Sequence, residues 1–563
     1  MHAHKILRIA STQAHLQDTL SKELKISRLL AQILINRGIS GVSEAERFLN
    51  VKTSHMLDPF SFRSMQKAVT RIKDAAGKKE KVMIFGDYDV DGITSLALLK
   101  QALQRIGLDV THYMPHRIKD GYGLTKNITH IAKEKKIKLL ITVDCGIANW
   151  REIEELNKKG VDTIITDHHE PAQGGILPRA SSIINPKVKD SGYKFRELAG
   201  VGVAYKLCQA LSGSKLLDEL DLVTLGTVAD VVPLTGENRV IVKEGLVKLS
   251  GTKRPGLRAL IEGAGIKNKA FTSTSISFIL APRLNASGRM DSAEASLNLL
   301  LTKDSKEAQD LTIALQQHNR SRQKVEEKIL EEAGEIINRD INFKEHKVIV
   351  VAKEGWHQGV LGIVASKLAD RFYRPAIVIS LNEKMCKGSG RSIKNFHLFH
   401  ALGECSEFLH AFGGHAHAVG LTITRDSIDD FRKSINRLAH EKLSLEDLIP
   451  SLDIDIELAL SDLNASVIEE LERLEPFGAG NPEPLFYTRG LRLKGEPQSM
   501  ARQTLKFWVS DGKVSFQVIG FGMEGLRPSL MKAKSLDMVF TPRMDNWLGN
   551  SSIILEAKDI FFK

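Results

Sequence analysis

Three short apolar runs, 82–85, 138–143 and 161–166, each break off into acidic or imidazole side chains. The first gives way to Gly86-Asp87-Tyr88-Asp89-Val90-Asp91-Gly92, the second to Asp144-Cys145-Gly146, and the third to Asp167-His168-His169. Segments 93–106 and 149–159 between them have helical periodicity. This alternation of strand, loop and helix predicts a parallel sheet with helices on both faces. In open sheets of that kind ligands bind beyond the carboxyl ends of the strands, so the three breaks place carboxylates and imidazoles on one rim. Alternate positions of an extended segment send Asp87, Asp89 and Asp91 toward one face. Like charges packed that closely raise one another's pKa unless a cation lies among them. All-oxygen donors favour a hard ion such as Mg²⁺ or Mn²⁺. A solvated acidic loop is the competing reading, and recurrence at three strand ends weighs against it. A further acid, Asp230, follows the apolar stretch 222–228, and an acid set between apolar runs is usually paired or ligating.

The chain of 563 residues is too long for one core. Residues 1–65 read as short helices leading into a first α/β domain at 66–300. A charged stretch at 301–342 predicts a long connecting helix, and 343–445 repeats the strand-helix-strand pattern as a second, smaller α/β domain. Short alternating strands over 446–563 fit a β-barrel of OB type. There are 79 Lys and Arg against 68 Asp and Glu, a formal net charge of +11, which suits a polyanionic partner. Cys145, Cys208, Cys386 and Cys405 are widely spaced, which argues against a disulfide framework or zinc knuckle and fits a reducing compartment. No signal-peptide core and no apolar run of membrane-spanning length is present, so a soluble, cytoplasmic protein is expected.

GDYDVDG, VDCG, DHH and LGTVADVVPL, in this order, resemble the DHH phosphoesterase superfamily, and within it the RecJ single-strand-specific exonucleases. The likeness continues in Pro115-His116-Arg117 with Asp120-Gly121-Tyr122-Gly123, and in Ala281-Pro282-Arg283-Leu284-Asn285-Ala286-Ser287-Gly288-Arg289-Met290. Gly388-Ser389-Gly390-Arg391-Ser392 and Gly413-Gly414-His415-Ala416-His417 look like the DHHA1 signature. Pro476-Phe477-Gly478-Ala479-Gly480-Asn481-Pro482 sits where the family begins its OB-type module.

The resemblance implies two divalent ions, Mn²⁺ or Mg²⁺, held by Asp89, Asp91, Asp144, His168 and Asp230, with Asp144 as the bridge. Asp87 ligates or supports, and ranks lowest of the acids. Two adjacent ions suit phosphodiester hydrolysis, because they activate a water and clamp phosphate oxygens. His169 is expected to donate to the scissile phosphate or leaving oxygen, or else to support His168. Arg283 and Arg289 suit phosphate forks along a strand path. Arg117, Ser389 and Arg391 resemble the family's pocket for a 5′ phosphate, with Ser389 and Arg391 in a glycine-flanked loop that a phosphate approaches closely. Tyr122 is either a stacking platform or a turn aromatic. His415 faces either DNA or the neighbouring domain, and the Gly355-Trp356-His357 turn is mainly structural. Phe507, Trp508 and Phe516 alternate like core residues of the barrel, with DNA contact as the second reading.

By resemblance the chain is a 5′→3′ exonuclease on single-stranded DNA, releasing nucleoside 5′-monophosphates in repair and recombination. It would be a monomer working with a single-stranded-DNA-binding protein and a RecQ-type helicase. A phosphodiesterase of the same superfamily acting on short oligonucleotides or cyclic dinucleotides is an alternative, but such proteins are shorter and lack the barrel. A non-catalytic replication scaffold is another, but it predicts eroded ligands.

Overall fold

The computed structural model describes residues 5–117, 120–121, 123–125, 127–171, 175–267, 271–545 and 552–563. The first domain holds a five-stranded sheet in the order Val110–Tyr113, Val82–Gly86, Leu139–Val143, Asp162–Thr166, Ser182–Ile184. Every pair is parallel. The two central strands are buried along their whole length, which is why they read as unbroken apolar runs. Strand order reverses between Val82–Gly86 and Leu139–Val143, the switch point where such sheets open a crevice. Gly86 is level with Val143 and Val143 with Thr166, so the next residues, Asp87, Asp144 and Asp167, stand side by side.

Helix Ser305–Asp340 runs 36 residues from an Asp304 cap, whose Oδ1 accepts from the Glu307 amide at 2.7 Å. Its buried positions form one stripe: Ala308, Thr312, Leu315, Asn319, Arg322, Glu326, Ile329, Ala333, Ile337. Ala308 and Leu315 pack into the first domain's core, whereas Ile329, Ala333 and Ile337 pack against the second domain. Between these ends the stripe is polar. The second domain carries a sheet ordered Leu409–Gly414, Ala418–Thr424, Met385–Arg391, Ala376–Leu381, Ile349–Glu354, in which only the last pair is parallel.

Five strands, Phe486–Met500, Thr504–Ser510, Ser515–Gly520, Ser552–Phe562 and Leu536–Asp545, close into a barrel where Phe486 meets Phe540. Phe507 lies inside it and Phe516 is partly buried, whereas Trp508 projects outward and is 46% exposed. The N-terminal helices Ala14–Leu24, Arg28–Asn36 and Val42–Leu49 do not continue into the first α/β domain. Leu20, Leu30, Leu34 and Phe48 share one apolar core with the barrel, and strand Ile6–Ile9 pairs with Ser451–Ile454. Their amphipathic pattern specified helices but not the surface that covers them. The four cysteines are buried and unpaired. Among the described residues no helix is long and apolar enough to cross a membrane.

Candidate metal centre and arginine pocket

The sequence places each acid by a different local device. Asp89 caps helix Val90–Arg105, with its Oδ1 accepting from the Gly92 amide at 3.1 Å. Asp91, in the first turn, takes two bonds from another helix start, Gly200 N to Oδ2 at 2.6 Å and Val201 N to Oδ1 at 2.8 Å. Asp144 follows its strand at φ 59, a left-handed backbone that Asp tolerates better than most residues. Asp230 closes helix Leu220–Ala229.

These devices converge on two nests of donor atoms, each within 4.8 Å: Asp87, Asp89, Asp144 in one and Asp91, His168, Asp230 in the other. Asp144 also groups with His168 and His169, so it touches both nests. His168 Nε2 lies 3.2 Å from Asp144 Oδ1, 3.6 Å from Asp230 Oδ2 and 3.9 Å from Asp91 Oδ2. Burial and Asp89 push the Asp87 carboxyl up to about 8 and Asp91 up to about 7. Burial and neighbouring acids, Asp91 foremost, raise Asp144 and Asp230 well above the carboxylate range. Burial, with His169 beside it, pushes His168 down to about 3. A neutral imidazole thus faces three carboxylate oxygens, and among the described residues the buried Asp87 Oδ1 has no hydrogen-bond partner. Such a donor set is unfavourable by itself and fits divalent cations.

Asp167 acts as the organiser of the third strand end. Its Oδ2 accepts from Ile147 N at 2.9 Å, and its Oδ1 accepts from His168 N at 2.7 Å, His169 N at 3.1 Å and His169 Nδ1 at 2.8 Å. Burial is the largest single influence and opposes protonation of His169, but the bond to Asp167 and the charges of Asp167, Asp87 and Asp89 together outweigh it and raise the imidazole pKa. The His169 ring points across the cleft to His415, with centroids 6.5 Å apart and planes nearly parallel.

Facing the acids is a concentration of guanidiniums. Burial, then Arg117 and Arg322, pull Arg289 down to about 9, with Asp89 opposing. Burial and Arg117 lower Arg391. Arg117 lies over the Tyr88 ring at 5.0 Å. Among the described residues no carboxylate forms an ion pair with Arg117, Arg289 or Arg391, whereas Arg322 of the long helix pairs with Glu326 at 2.6 Å. Like charges held together without counter-ions form a ready anion pocket.

Ser389 and Arg391 sit on a strand rather than in a loop. Gly388 and Gly390 face the opposite side, where a Cβ would come within 2.9 Å of Leu421 and 2.8 Å of Leu398, so they are small because of packing. Ser389 Oγ and Arg391 Nη2 instead border Gly362 at the start of helix Leu361–Phe372, each 3.1 Å from where its Cβ would stand. Arg283 donates to Ile279 O at 2.6 Å and is lowered by burial and by Arg320 on the long helix, farther along the cleft. Trp356 is buried and donates to Glu332 of the long helix at 2.7 Å, a docking contact. Tyr122 lies outside the described residues.

Glycines and one amide hold the centre together, and motif reading had not singled them out for this. A Cβ on Gly92 would fall 2.4 Å from Asp87 O, and one on Gly226 would fall 2.9 Å from Asp91 Oδ1. Asn285 accepts from the Val90 amide at 3.1 Å, tying the arginine-bearing helix Ala281–Met290 to the acidic loop.

The fold and the paired acidic nests are those of a DHH phosphoesterase. The model for the DHH family, N-terminal domain matches residues 81–227, that for the DHHA1 domain 345–441, and that for the RecJ OB domain 454–559. The single-stranded-DNA-specific exonuclease RecJ of Bacillus subtilis is 39% identical over 544 residues, 96% of this chain and 69% of that one. RecJ of Haemophilus influenzae is 33% identical over 94% of this chain and 95% of its own. The crystal structure of Thermus thermophilus RecJ in complex with Mn²⁺ superposes with a TM-score of 0.85 at 28% identity, covering 99% of this chain and 80% of that one. The chain belongs to the RecJ family.

Proposed function

We propose that this protein is a divalent-metal-dependent exonuclease that degrades single-stranded DNA from the 5′ end to nucleoside 5′-monophosphates. One observation carries the reading: two donor nests joined through Asp144 lie opposite an arginine pocket that, among the described residues, has no carboxylate ion pair. The nests would be filled by Asp89, Asp91, Asp144, His168 and Asp230, with Asp87 beside Asp89. Divalent ions bound there supply an activated water and charge relief at the phosphate. Arg117, Ser389 and Arg391 hold the terminal 5′ phosphate, and Arg289 lies between that pocket and Asp89. His169, held at Nδ1 by Asp167, presents Nε2 to the scissile phosphate or leaving oxygen. His415 closes the cleft from the second domain. Arg283 continues the phosphate path, and the outward Trp508 of the barrel offers a sequence-tolerant stacking surface.

A cleft spanned by one helix and walled by two domains favours a single strand over a duplex. Action in the cytoplasm, in repair and recombination, beside a single-stranded-DNA-binding protein and a RecQ-type helicase, belongs to the same proposal. The test is incubation with Mn²⁺ and end-labelled single strands, with and without a 5′ phosphate, beside a cyclic dinucleotide. Loss of label from the 5′ end first is expected. No degradation, degradation from the 3′ end, or preference for the cyclic dinucleotide would refute the reading.

A further inference from the structure

The turn that carries Asp230 is held from within the first domain, where Asn238 Nδ2 donates to Pro233 O at 3.1 Å and Leu234 joins the core, and also from outside it. Val231 follows Asp230 at φ 62, a left-handed backbone that β-branched residues avoid. Its side chain is 67% exposed, so its own packing does not hold it there. Such conformations persist only where the surroundings over-determine them. On the far side of the turn, Leu234 N donates to Ala479 O at 2.7 Å. A Cβ on Gly478 would fall 2.7 Å from Leu234 Cδ1, and one on Gly480, at φ 70, would fall 3.0 Å from Pro233 Cβ.

The segment 476–482 is itself fastened. Asn481 Nδ2 donates to Leu474 O at 2.7 Å and to Pro476 O at 2.8 Å, and its Oδ1 accepts from Arg37 Nε at 2.7 Å. Arg37 ends the N-terminal helix Arg28–Asn36, which shares its core with the barrel. A second anchor lies in the helix after the turn, Gly236–Ser250. There the buried Arg239 donates to Phe48 O at 2.9 Å, Leu474 O at 2.8 Å and Arg473 O at 3.0 Å.

We infer that the barrel and the N-terminal helices, acting through segment 476–482 and Arg239, set the position of Asp230 in the metal centre. Gly480 and Leu234 are then positioning residues for the reaction. The barrel unit is accordingly part of the metal centre's scaffold as well as a surface for DNA. This inference rests on the proposed role of Asp230 as a metal ligand.

The test measures Mn²⁺ binding to the full-length protein by electron paramagnetic resonance, alongside turnover. The variants are Gly480→Ala, Leu234→Ala and a control in the barrel unit, Gly525→Ala, whose Cβ meets nothing within 4 Å. Supporting partners of metal ligands typically contribute about 10- to 100-fold in metal affinity. A loss of that size is expected in the first two variants, with kcat restored by raised Mn²⁺ and KM for the strand unchanged, and none in the control. Wild-type Mn²⁺ affinity in both variants, or weaker strand binding with Mn²⁺ binding intact, would overturn the inference. If Gly480→Ala does not fold, Leu234→Ala decides the question alone. A wild-type protein that binds Mn²⁺ but degrades no strand would refute the nuclease reading, while the affinity comparison would still decide the positioning role. A wild-type protein that binds no Mn²⁺ would overturn both.

Discussion

Replacing Gly200 by Ala adds one methyl group at the centre of the candidate site. Gly200 opens helix Gly200–Ser212 and its amide holds Asp91. An added Cβ would stand 2.5 Å from Asp144 Oδ1, 2.7 Å from its Cβ and 2.8 Å from its Cγ. Ordinary contact needs about 3.5 Å, so the Asp144 side chain must retreat by about 1 Å. Rotation about its own bonds does not relieve the clash, because the Cβ is itself too close. The backbone is fixed too, with the Asp144 amide donating to Thr166 O at 3.0 Å. Helix propensity favours Ala over Gly, so any loss must come from the contact. Overpacking of this kind costs about 1–3 kcal/mol of stability. A misplacement of about 1 Å among reacting groups costs roughly 100-fold in rate. The assay is kcat on a 5′-phosphorylated single strand, read beside thermal melting. Gly334→Ala is the opposite control: it lies inside the long helix with nothing within 4 Å of the added Cβ. That change should stabilise by about 0.5–1 kcal/mol and leave turnover unchanged. Wild-type kcat in folded Gly200→Ala would refute the reasoning.

Three further outcomes follow from the same geometry. Asp144→Ala should abolish turnover while leaving strand binding largely intact; lost binding in the folded variant would mean that Asp144 chiefly supports structure. Arg391→Ala removes a charge-assisted donor of about 1.5–3 kcal/mol, so the advantage of a 5′-phosphorylated over an unphosphorylated strand should fall by about 10- to 100-fold. Equal losses on both strands would refute the phosphate assignment. Metal-free protein should lose stability as pH rises from about 4, the unfolded carboxylate range, through the raised values of about 7 for Asp91 and about 8 for Asp87. The native state keeps protons that the unfolded chain releases there, at up to about 1.4 kcal/mol per pH unit for each proton. Saturating Mn²⁺ should flatten that slope in thermal melts from pH 5 to 8, and a slope unaffected by Mn²⁺ would count against ligation by these acids.

The three inner strands of the first sheet were legible because they are largely buried and end abruptly in charge, whereas the edge strands Val110–Tyr113 and Ser182–Ile184 were not read from the sequence. Val82–Gly86 and Leu139–Val143 lie where the apolar runs predict, and their ends meet as the rim argument requires. The long helix is also close to its predicted bounds, because its stripe of buried positions follows the 3.6-residue period. Gly226 and Asn285 were visible as letters of motifs, but their effect, like that of Gly200, lies in what a Cβ or an amide would touch, which spacing does not encode. The docking of the N-terminal helices on the barrel was invisible for a related reason. Residues 14–49 and 458–560 meet across more than four hundred positions of chain, and amphipathicity specifies a face without its partner. Gly388 and Gly390 show the converse error, since glycines beside Ser389 and Arg391 suggested a loop yet serve the packing of a strand.

The two walls of the cleft are each unfavourable alone. Asp87 and Asp91 are buried among carboxylates that raise their pKa, and Arg289 is buried among guanidiniums that lower its own. The walls partly compensate each other, since Arg117 acts on Asp87, and Arg289 and Asp89 attract. Cations in the nests would weaken that compensation for the arginines, leaving their charge more available to a phosphate. An anion in the pocket would do the same for the acids and cations. Linkage makes this reciprocal: if Mn²⁺ tightens binding of a 5′-phosphorylated strand by some factor, the strand tightens Mn²⁺ by the same factor. The Arg117→Ala variant should weaken the coupling, because it removes a positive charge that acts on Asp87. Metal binding should then strengthen in the absence of DNA, while the gain on adding a phosphorylated strand shrinks. Titrating Mn²⁺ with and without a short phosphorylated oligonucleotide in the presence of Arg117 and in its absence measures both quantities. An unchanged gain would show that the two walls act independently.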